Sequence, residues 1–459
     1  MSAEVPPPVD ATRKRVLAAL RNHGWNATSF QVLGQGFRYW FAEDGSPVAY
    51  VDTGSAWVAA GAPIAPEAAL GAAALEFVAA ARRAGRRAVF FGTEQRAARL
   101  PGFSSLLVGE QPIWDPRDFE RVVASTPSLR EQLRRARAKG VSVTRIEAAE
   151  VTAEEAPLRR AVEALVTRWL ATRPMPPMGF LVHVEPFSFA AERRWFVARR
   201  GEDLVGFAAV VPVFARQGWF VEDLVRAVDA PNGTTEALVE AAMHDAAALG
   251  SDYVTLGLAP LAGEVPPALR FASRLGSALY DFSGIQAFKA KFRPREWVPI
   301  HLTYPPEQSA HVAVLDALAA FARDGLLRFG VEALLRGPSI VVRVLALLLV
   351  PWTLMLAWGG GPRWFPAAWV QWSWVGLDIG LCLGLLALSA RWRPWLATVL
   401  FAVITTDAIL TLLEALLSPV PRIDGVLALV VVLASVAAPT LASVVLFNAR
   451  RRAARAGSA

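Results

Sequence analysis

Two short stretches carry the residues best suited to chemistry. In "DLVRAVDAPNGTTEALVEAAM", residues 223–243, a strand-like run holds Asp223 and Arg226, then passes through Asn232, Gly233 and Thr234 into a helical pattern. A carboxylate can accept a proton or hold a cation. A helix start of the Asn-Gly-Thr-Thr type either caps itself, a side-chain oxygen accepting a first-turn N–H, or cradles an anion on its outward N–H groups. The second stretch, "GIQAFKAKFRP", holds Lys289 and Lys291, two of only four lysines; the 47 Lys+Arg therefore include 47 − 4 = 43 arginines. Where arginine is the default cation, a lysine pair points to a need for a compact point charge. The alternation Phe288-Lys289-Ala290-Lys291-Phe292 predicts a strand with both lysines on one face. The same pattern suits an edge strand that lysines protect from further pairing.

Basic density is the next chemical signal. "SLREQLRRARAKG" sets Arg130 and Arg134 one helical turn apart, with Arg135 and Lys139 on an adjacent stripe, and "ARRAGRRAVFFGTEQRAAR" adds six more arginines. Such faces suit anionic lipid headgroups or RNA phosphates, or are simply solvated.

These residues need elements to position them. Apolar runs at Val48–Val51, Ala88–Phe91, Leu204–Val213 and Tyr253–Leu256 read as strands, and Ala68–Arg83, Ala156–Leu170 and Thr234–Leu249 as helices, an alternation that argues an α/β class. One unit occurs twice: a helix ending at Gly85 or Gly250 leads into a strand that closes on Gly92 or Gly257. The repeat divides the region into halves at 1–145 and 146–304, followed by an amphipathic connector at 305–338.

The last quarter is different. The chain is 54% hydrophobic, and the excess lies in four apolar blocks near 339–358, 368–390, 396–417 and 425–447. Each is close to the ~20 residues that cross a bilayer. Arg328, Arg336 and Arg343 stand at or before the first block, Arg391 and Arg393 between the second and third, and Arg450, Arg451, Arg452 and Arg455 after the fourth; the other loops hold little beyond Arg363 and Arg422. That asymmetry predicts four spans over 339–448 and a basic cytoplasmic tail at 449–459, with both termini on the cytoplasmic side. Half of the 16 tryptophans fall in this quarter, as interfacial anchors do. The segment after Met1 has no apolar h-region, so a cleavable signal peptide is not expected.

Other chemistries find little support. The one cysteine, Cys382, excludes an intrachain disulfide and a cysteine-built metal site. His183 lies between Val182 and Val184 in "RPMPPMGFLVHVEPF" and reads as a core histidine; the stretch itself suits a core, a lid or an acyl-chain surface. No HExxH, GxSxG or Walker pattern is present, and no metal or cofactor is expected.

Taken together, "DLVR…APNGTTEAL", "TLGLAPLAG", "YDFSGIQAFKAKFRP", "FFGTEQR" and "SLREQLRRARAKGV" resemble the catalytic domain of the lysylphosphatidylglycerol synthase family, the aminoacyl-tRNA-dependent phosphatidylglycerol aminoacyltransferases. The resemblance runs from about residue 30 to 300. It implies two tandem GNAT-like (acyltransferase) folds and transfer of an aminoacyl group from aminoacyl-tRNA to the hydroxyl of an anionic membrane phospholipid at the inner membrane. It implies that Asp223 and Arg226 line the transfer site and that Asn232, Gly233 and Thr234 shape the adjoining turn. Lys289 and Lys291 would come from a facing strand as further catalytic residues and, with Arg226, hold phosphate of the tRNA end or the lipid head, with Gly257, Arg130 and Arg134 as further substrate contacts. The family carries its membrane helices before this domain, whereas here the apolar blocks follow it. An acyl-CoA-dependent N-acyltransferase is the alternative, against which stands the missing Q/R-x-x-G-x-G/A loop after "LVGFAAVVPVF". A non-catalytic tethered binding protein is a third reading.

The topology is testable by reporter fusions. Fusions at Pro362 and Asp424 should report the periplasm, and fusions at Trp392 and Ala459 the cytoplasm; a periplasmic Ala459 would exclude the four-span arrangement.

Overall fold

A computed structural model describes residues 11–457, except 154, 174, 176–177, 268, 271–280, 323–324, 327, 331, 333–337, 360–366, 391–392 and 418–425. The flanking charges Arg336, Arg363, Arg391 and Arg422 lie outside the described residues. The chain divides near Leu326 into two compact units.

The first unit is built on one mixed sheet. Its described strands are β1 (Arg38–Phe41), β2 (Pro47–Asp52), β3 (Ala56–Ala60), β4 (Arg87–Thr93), β5 (Ser104–Trp114), β6 (Val141–Ile146), β7 (Arg194–Arg200), β8 (Asp203–Val213), β9 (Gly218–Arg226), β10 (Val254–Thr255), β11 (Ala259–Pro260) and β12 (Glu296–Tyr304). They lie in the order β1-β2-β3-β4-β12-β5-β10-β9-β8-β7-β6, with β11 on β5. The repeat seen in the sequence is present. The helix Leu70–Arg83 joins the parallel pair β3/β4, and the helix Thr234–Ala248 joins the parallel pair β9/β10. Gly85, Gly92, Gly250 and Gly257 all take positive φ, so each repeat leaves its helix and its strand through the same kind of turn.

The last strand of each repeat crosses over. β5 follows β4 in sequence but pairs with β10 and β12, and β12 pairs with β4 and, over nine positions, with β5. The C-terminal end of β5 is buried at this centre, with Ile113 and Trp114 each 2% exposed. Two cores flank it. One joins Leu129, Leu133, Phe196, Val221, Leu238 and Phe292; the other joins Phe30, Val58, Ile113, Phe180 and Phe220.

Several sequence expectations change here. The lysine stretch is not a strand: Phe282–Ala290 is a helix capped by Asp281, and Lys291 ends it. The helix forms because Asp281 accepts the Gly284 N–H at 2.8 Å, a local capping signal that outweighs the alternation of phenylalanine and lysine. The 305–338 segment does not leave the sheet as a connector at once. Its first part is the helix Ala310–Phe321, which packs on β3 and β4 and is held by a bidentate pair from Arg87 to Asp316, both bonds 2.7 Å. His183 is exposed rather than in the core, 3.3 Å from Glu185, while Phe180 and Leu181 in the same stretch are buried. Of the run Tyr253–Leu256 only Val254–Thr255 pairs as strand.

The second unit contains the helices Pro338–Gly359, Ala368–Ala390, Pro394–Leu417 and Val426–Gly457. Among the described residues two stretches, Ala368–Ser389 and Pro394–Leu413, are long and apolar enough to cross a membrane. The helices meet through Leu345, Leu381, Leu385, Leu400 and Leu446, and by interhelical hydrogen bonds such as Gln371 to the Leu356 carbonyl at 2.8 Å.

Gly233 is where backbone conformation matters most. It precedes the Thr234–Ala248 helix at φ 97°, and a Cβ there would lie 2.1 Å from the carbonyl oxygen of Gln132 in the helix Pro127–Ala138. Gly233→Ala should therefore destabilise the protein by about 3 kcal/mol through strain and displaced helix packing. Gly250→Ala, at φ 77° in open space, should cost about 1 kcal/mol. Thermal midpoints of the two variants in detergent check the difference.

Candidate active site

The parallel strands β9 and β10 share only two registered positions, Val254↔Trp219 and Thr255↔Phe220. Beyond them β9 continues to Arg226 while the chain leaves β10 through Gly257. The two strands part at their C-terminal ends, where α/β sheets leave room for a ligand. The turn is tight: a Cβ on Gly257 would lie 2.7 Å from the Phe220 ring, and its N–H donates to the Thr255 hydroxyl at 2.9 Å.

Asp223 sits on β9 just past this parting. It is 7% exposed, and its Oδ2 has no hydrogen-bond partner among the described residues. Burial holds its carboxyl well above the ordinary carboxylate range; the neighbouring Glu222 charge pushes the same way and Arg193 opposes. The two repeats show that this carboxylate belongs to one half only. Val89 and Val254 each lie three residues before the turn glycine and pair with Val58 and Trp219; four residues beyond those partners stand Ala62 and Asp223.

Lys289 fills the end of β10. Its ammonium is buried and donates to the carbonyls of Gly257 and Leu258, both at 2.8 Å, and burial pulls it down to about 7. Lys291 donates to Glu236 in the first turn of the Thr234–Ala248 helix at 2.7 Å. Both lysines are therefore engaged with protein groups, and they reach them from a helix end, not from a facing strand. Arg226 is exposed at the tip of β9. Asn232 is exposed, Gly233 stands at the helix N-cap position, and neither Asn232 nor Thr234 caps through its side chain; the Thr234 hydroxyl donates to the Pro231 carbonyl at 2.7 Å. Arg130 and Arg134 lie exposed on the helix Pro127–Ala138, as expected, but Arg134 shares Glu131 with Arg135. Those two guanidiniums draw the Glu131 carboxyl down to about 2.

Two buried clusters were not apparent in the sequence. Arg193 and Glu222 form an ion pair with side chains 4% and 7% exposed beside Asp223. Across the two halves, Glu94 of "FFGTEQR" is buried and pairs with Arg216, whose guanidinium lies 4.3 Å from the Trp25 ring and 4.7 Å from the Tyr253 ring. The signal for Glu222 was an acidic residue inside an apolar run; Glu94 stands in the polar turn after one. Among the described residues no group of His, Cys, Asp and Glu could hold a metal ion.

A family model for "Phosphatidylglycerol lysyltransferase, C-terminal" matches residues 17–304, more than half of the chain. The chain belongs to this family. A phosphatidylglycerol lysyltransferase of Bacillus subtilis (strain 168) is 34% identical over 121 residues, which cover 24% of this chain and 14% of that protein. The chain therefore spans a small part of that relative's length. Two solved structures share the fold. L-PGS from Bacillus licheniformis matches with a TM-score of 0.59 at 21% identity, covering 70% of this chain and 100% of that one. A C-terminal domain (DUF2156) from Agrobacterium fabrum, named for a lysylphosphatidylglycerol synthetase, matches with 0.57 at 23% identity over the same shares. In this family fold, "DLVR", "TLGL" and "AFKAKF" become one neighbourhood around the end of β10.

The buried lysine has a pH signature. Its folded pKa is depressed to about 7, so between that value and its unfolded value near 10.5 the unfolded chain binds the extra proton and stability rises with pH. Lys289→Met should remove that rise, which is on the order of a few kcal/mol across the window. Thermal midpoints of wild type and variant from pH 7 to 10, roughly the window between the two values, check it; parallel slopes would contradict it.

Proposed function

We propose that the chain is a membrane-anchored aminoacyltransferase that moves an aminoacyl group from aminoacyl-tRNA to the hydroxyl of a membrane lipid such as phosphatidylglycerol. The observation that carries this reading is Asp223: a buried carboxylate with an unpartnered oxygen, at the parting of two parallel strands, in a chain of the phosphatidylglycerol lysyltransferase C-terminal family. The family name supports the lipid acceptor. The tRNA donor, the tandem acyltransferase-like ancestry of the two repeats and the four-span, inner-membrane anchoring are parts of the same proposal.

The chemistry is a transesterification. The lipid hydroxyl oxygen attacks the aminoacyl carbonyl carbon, a new C–O bond forms, and the bond to the ribose oxygen of the tRNA end breaks. The hydroxyl proton leaves through a base, and the departing ribose oxygen takes up a proton. One ester replaces another, so the enzyme needs positioning, a proton acceptor and donors for the oxyanion more than a driving force. Asp223 serves as that acceptor or holds the α-ammonium of the aminoacyl group. Exposed Arg226, Arg130 and Arg134 supply charge for phosphate. Lys289 and Lys291 maintain the turn and helix start around the site through Gly257, Leu258 and Glu236.

The purified chain should aminoacylate lipid only with charged tRNA. Ribonuclease should abolish product seen by mass spectrometry of extracted lipid; product sustained by acyl-CoA after ribonuclease would establish the N-acyltransferase instead. Asp223→Asn should lower kcat/KM by about 10²-fold or more, the scale of a lost general base, with little change in thermal midpoint. Full activity in that variant would remove Asp223 from the chemistry.

A further inference from the structure

Glu222 and Asp223 are consecutive, and on a regular strand they would face opposite sides of the sheet. The pairing of β8 with β9 shifts register here: Ala209 faces Asp223 and Val210 faces Val221, so Glu222 is an extra residue in a β-bulge. The bulge lets both carboxylates come under the influence of one cation, Arg193. That guanidinium is fixed on every side. It pairs with Glu222, donates from Nε to the Ser188 carbonyl at 2.7 Å and from Nη2 to the Ser188 hydroxyl at 3.3 Å, and lies 5.3 Å from the centre of the Phe30 ring. Burial and the Glu222 charge push the Asp223 carboxyl up, and Arg193 opposes them. The neighbour of Asp223 across the strand pair is Ala209, and Lys289 and Lys291 are engaged with other groups.

We propose that Arg193 and Glu222 are a positioning pair for the transfer site: the buried guanidinium is bound to Glu222 and Ser188, so Asp223 is left as the carboxylate whose counter-charge must come from a proton or from the substrate. This rests on the aminoacyltransferase reading of Asp223 and adds what sets its charge. A buried, uncompensated carboxylate takes a proton when the site is empty. An ammonium entering with the donor displaces that proton, so the pair makes the site selective for a donor with a free amino group.

The sign of each effect follows. Glu222→Gln removes a neighbouring negative charge, so Asp223 ionises at lower pH. Arg193→Met removes the positive charge, so Asp223 ionises at higher pH. The acid limb of kcat/KM should move down by about one pH unit in the first variant and up by about one unit in the second, the scale of a single close charge. Arg193→Lys should return the limb toward wild type. Since Arg193→Met leaves Glu222 buried without a partner and can impair folding, the double variant Arg193→Met/Glu222→Gln is measured beside it; its limb should fall between those of the single variants. A donor charged with an N-acetylated amino acid should lose at least tenfold in kcat/KM with wild type. Limbs that stay in place, or that move in the same direction in both single variants, would overturn the proposal, as would equal use of the N-acetylated donor. If the chain transfers no aminoacyl group at all, the function reading fails separately. The protonated-carboxyl band of Asp223, taken from infrared difference spectra of the solubilised chain against Asp223→Asn, then reads the same two shifts without turnover, and its failure to move overturns the pair.

Discussion

The crossing of β5 and β12 at the centre of the sheet is the constraint on which the rest of the first unit depends. Each repeat could complete itself only by pairing its last strand next to its own parallel pair. Instead β5 lies against β10 and β12 against β4, and the two crossing strands bond to each other over nine positions. The backbone N–H and C=O groups of either repeat are therefore satisfied only when the other is folded. A sheet joined this way makes the two repeats one compact unit up to Leu326.

That centre also creates the site. β10 is short because β5 and β9 hold it from both sides for only two residues before Gly257 turns the chain away. β9 has no such interruption and carries Asp223 past the end of its parallel neighbour. Lys289 then closes the gap from below by donating to the two carbonyls that the turn leaves free. A buried lysine without a carboxylate is costly, and burial pulls Lys289 down to about 7 although two carbonyls accept from it. The framework and the carboxylate are thus separate devices: one shapes the parting, the other supplies its charge.

The duplicated fold has been used asymmetrically. The second repeat keeps Asp223 where the first has Ala62. The region beyond β4 is filled from both halves, Glu94 and Trp25 coming from the first and Arg216 and Tyr253 from the second, packed and largely buried. Asp223 and the Glu94–Arg216 pair stand at different positions of the repeated unit, since backbone geometry is set by the turns while the side chains placed on them differ.

Composition and periodicity alone were enough for the α/β class, the repeated helix–strand unit with its four positive-φ glycines, the basic helix bearing Arg130 and Arg134, and the apolar final quarter. These are local properties: helical spacing, glycine turns and hydropathy act within a few residues. The motifs around Asp223, Gly257 and Lys289 also marked the family. What the tertiary structure decided was everything that depends on partners far apart in the chain. The alternation around Lys289 favoured a strand until the Asp281 cap and the carbonyls of Gly257 and Leu258 made it a helix end. The run "VEDLVR" could not reveal that a register shift against β8 would turn Glu222 out of alternation and place it on Arg193. Nor could it show that Asp223 would be buried with an oxygen left free. Register and burial are set by hydrogen bonds and packing between strands distant in sequence, and no window of local sequence contains them.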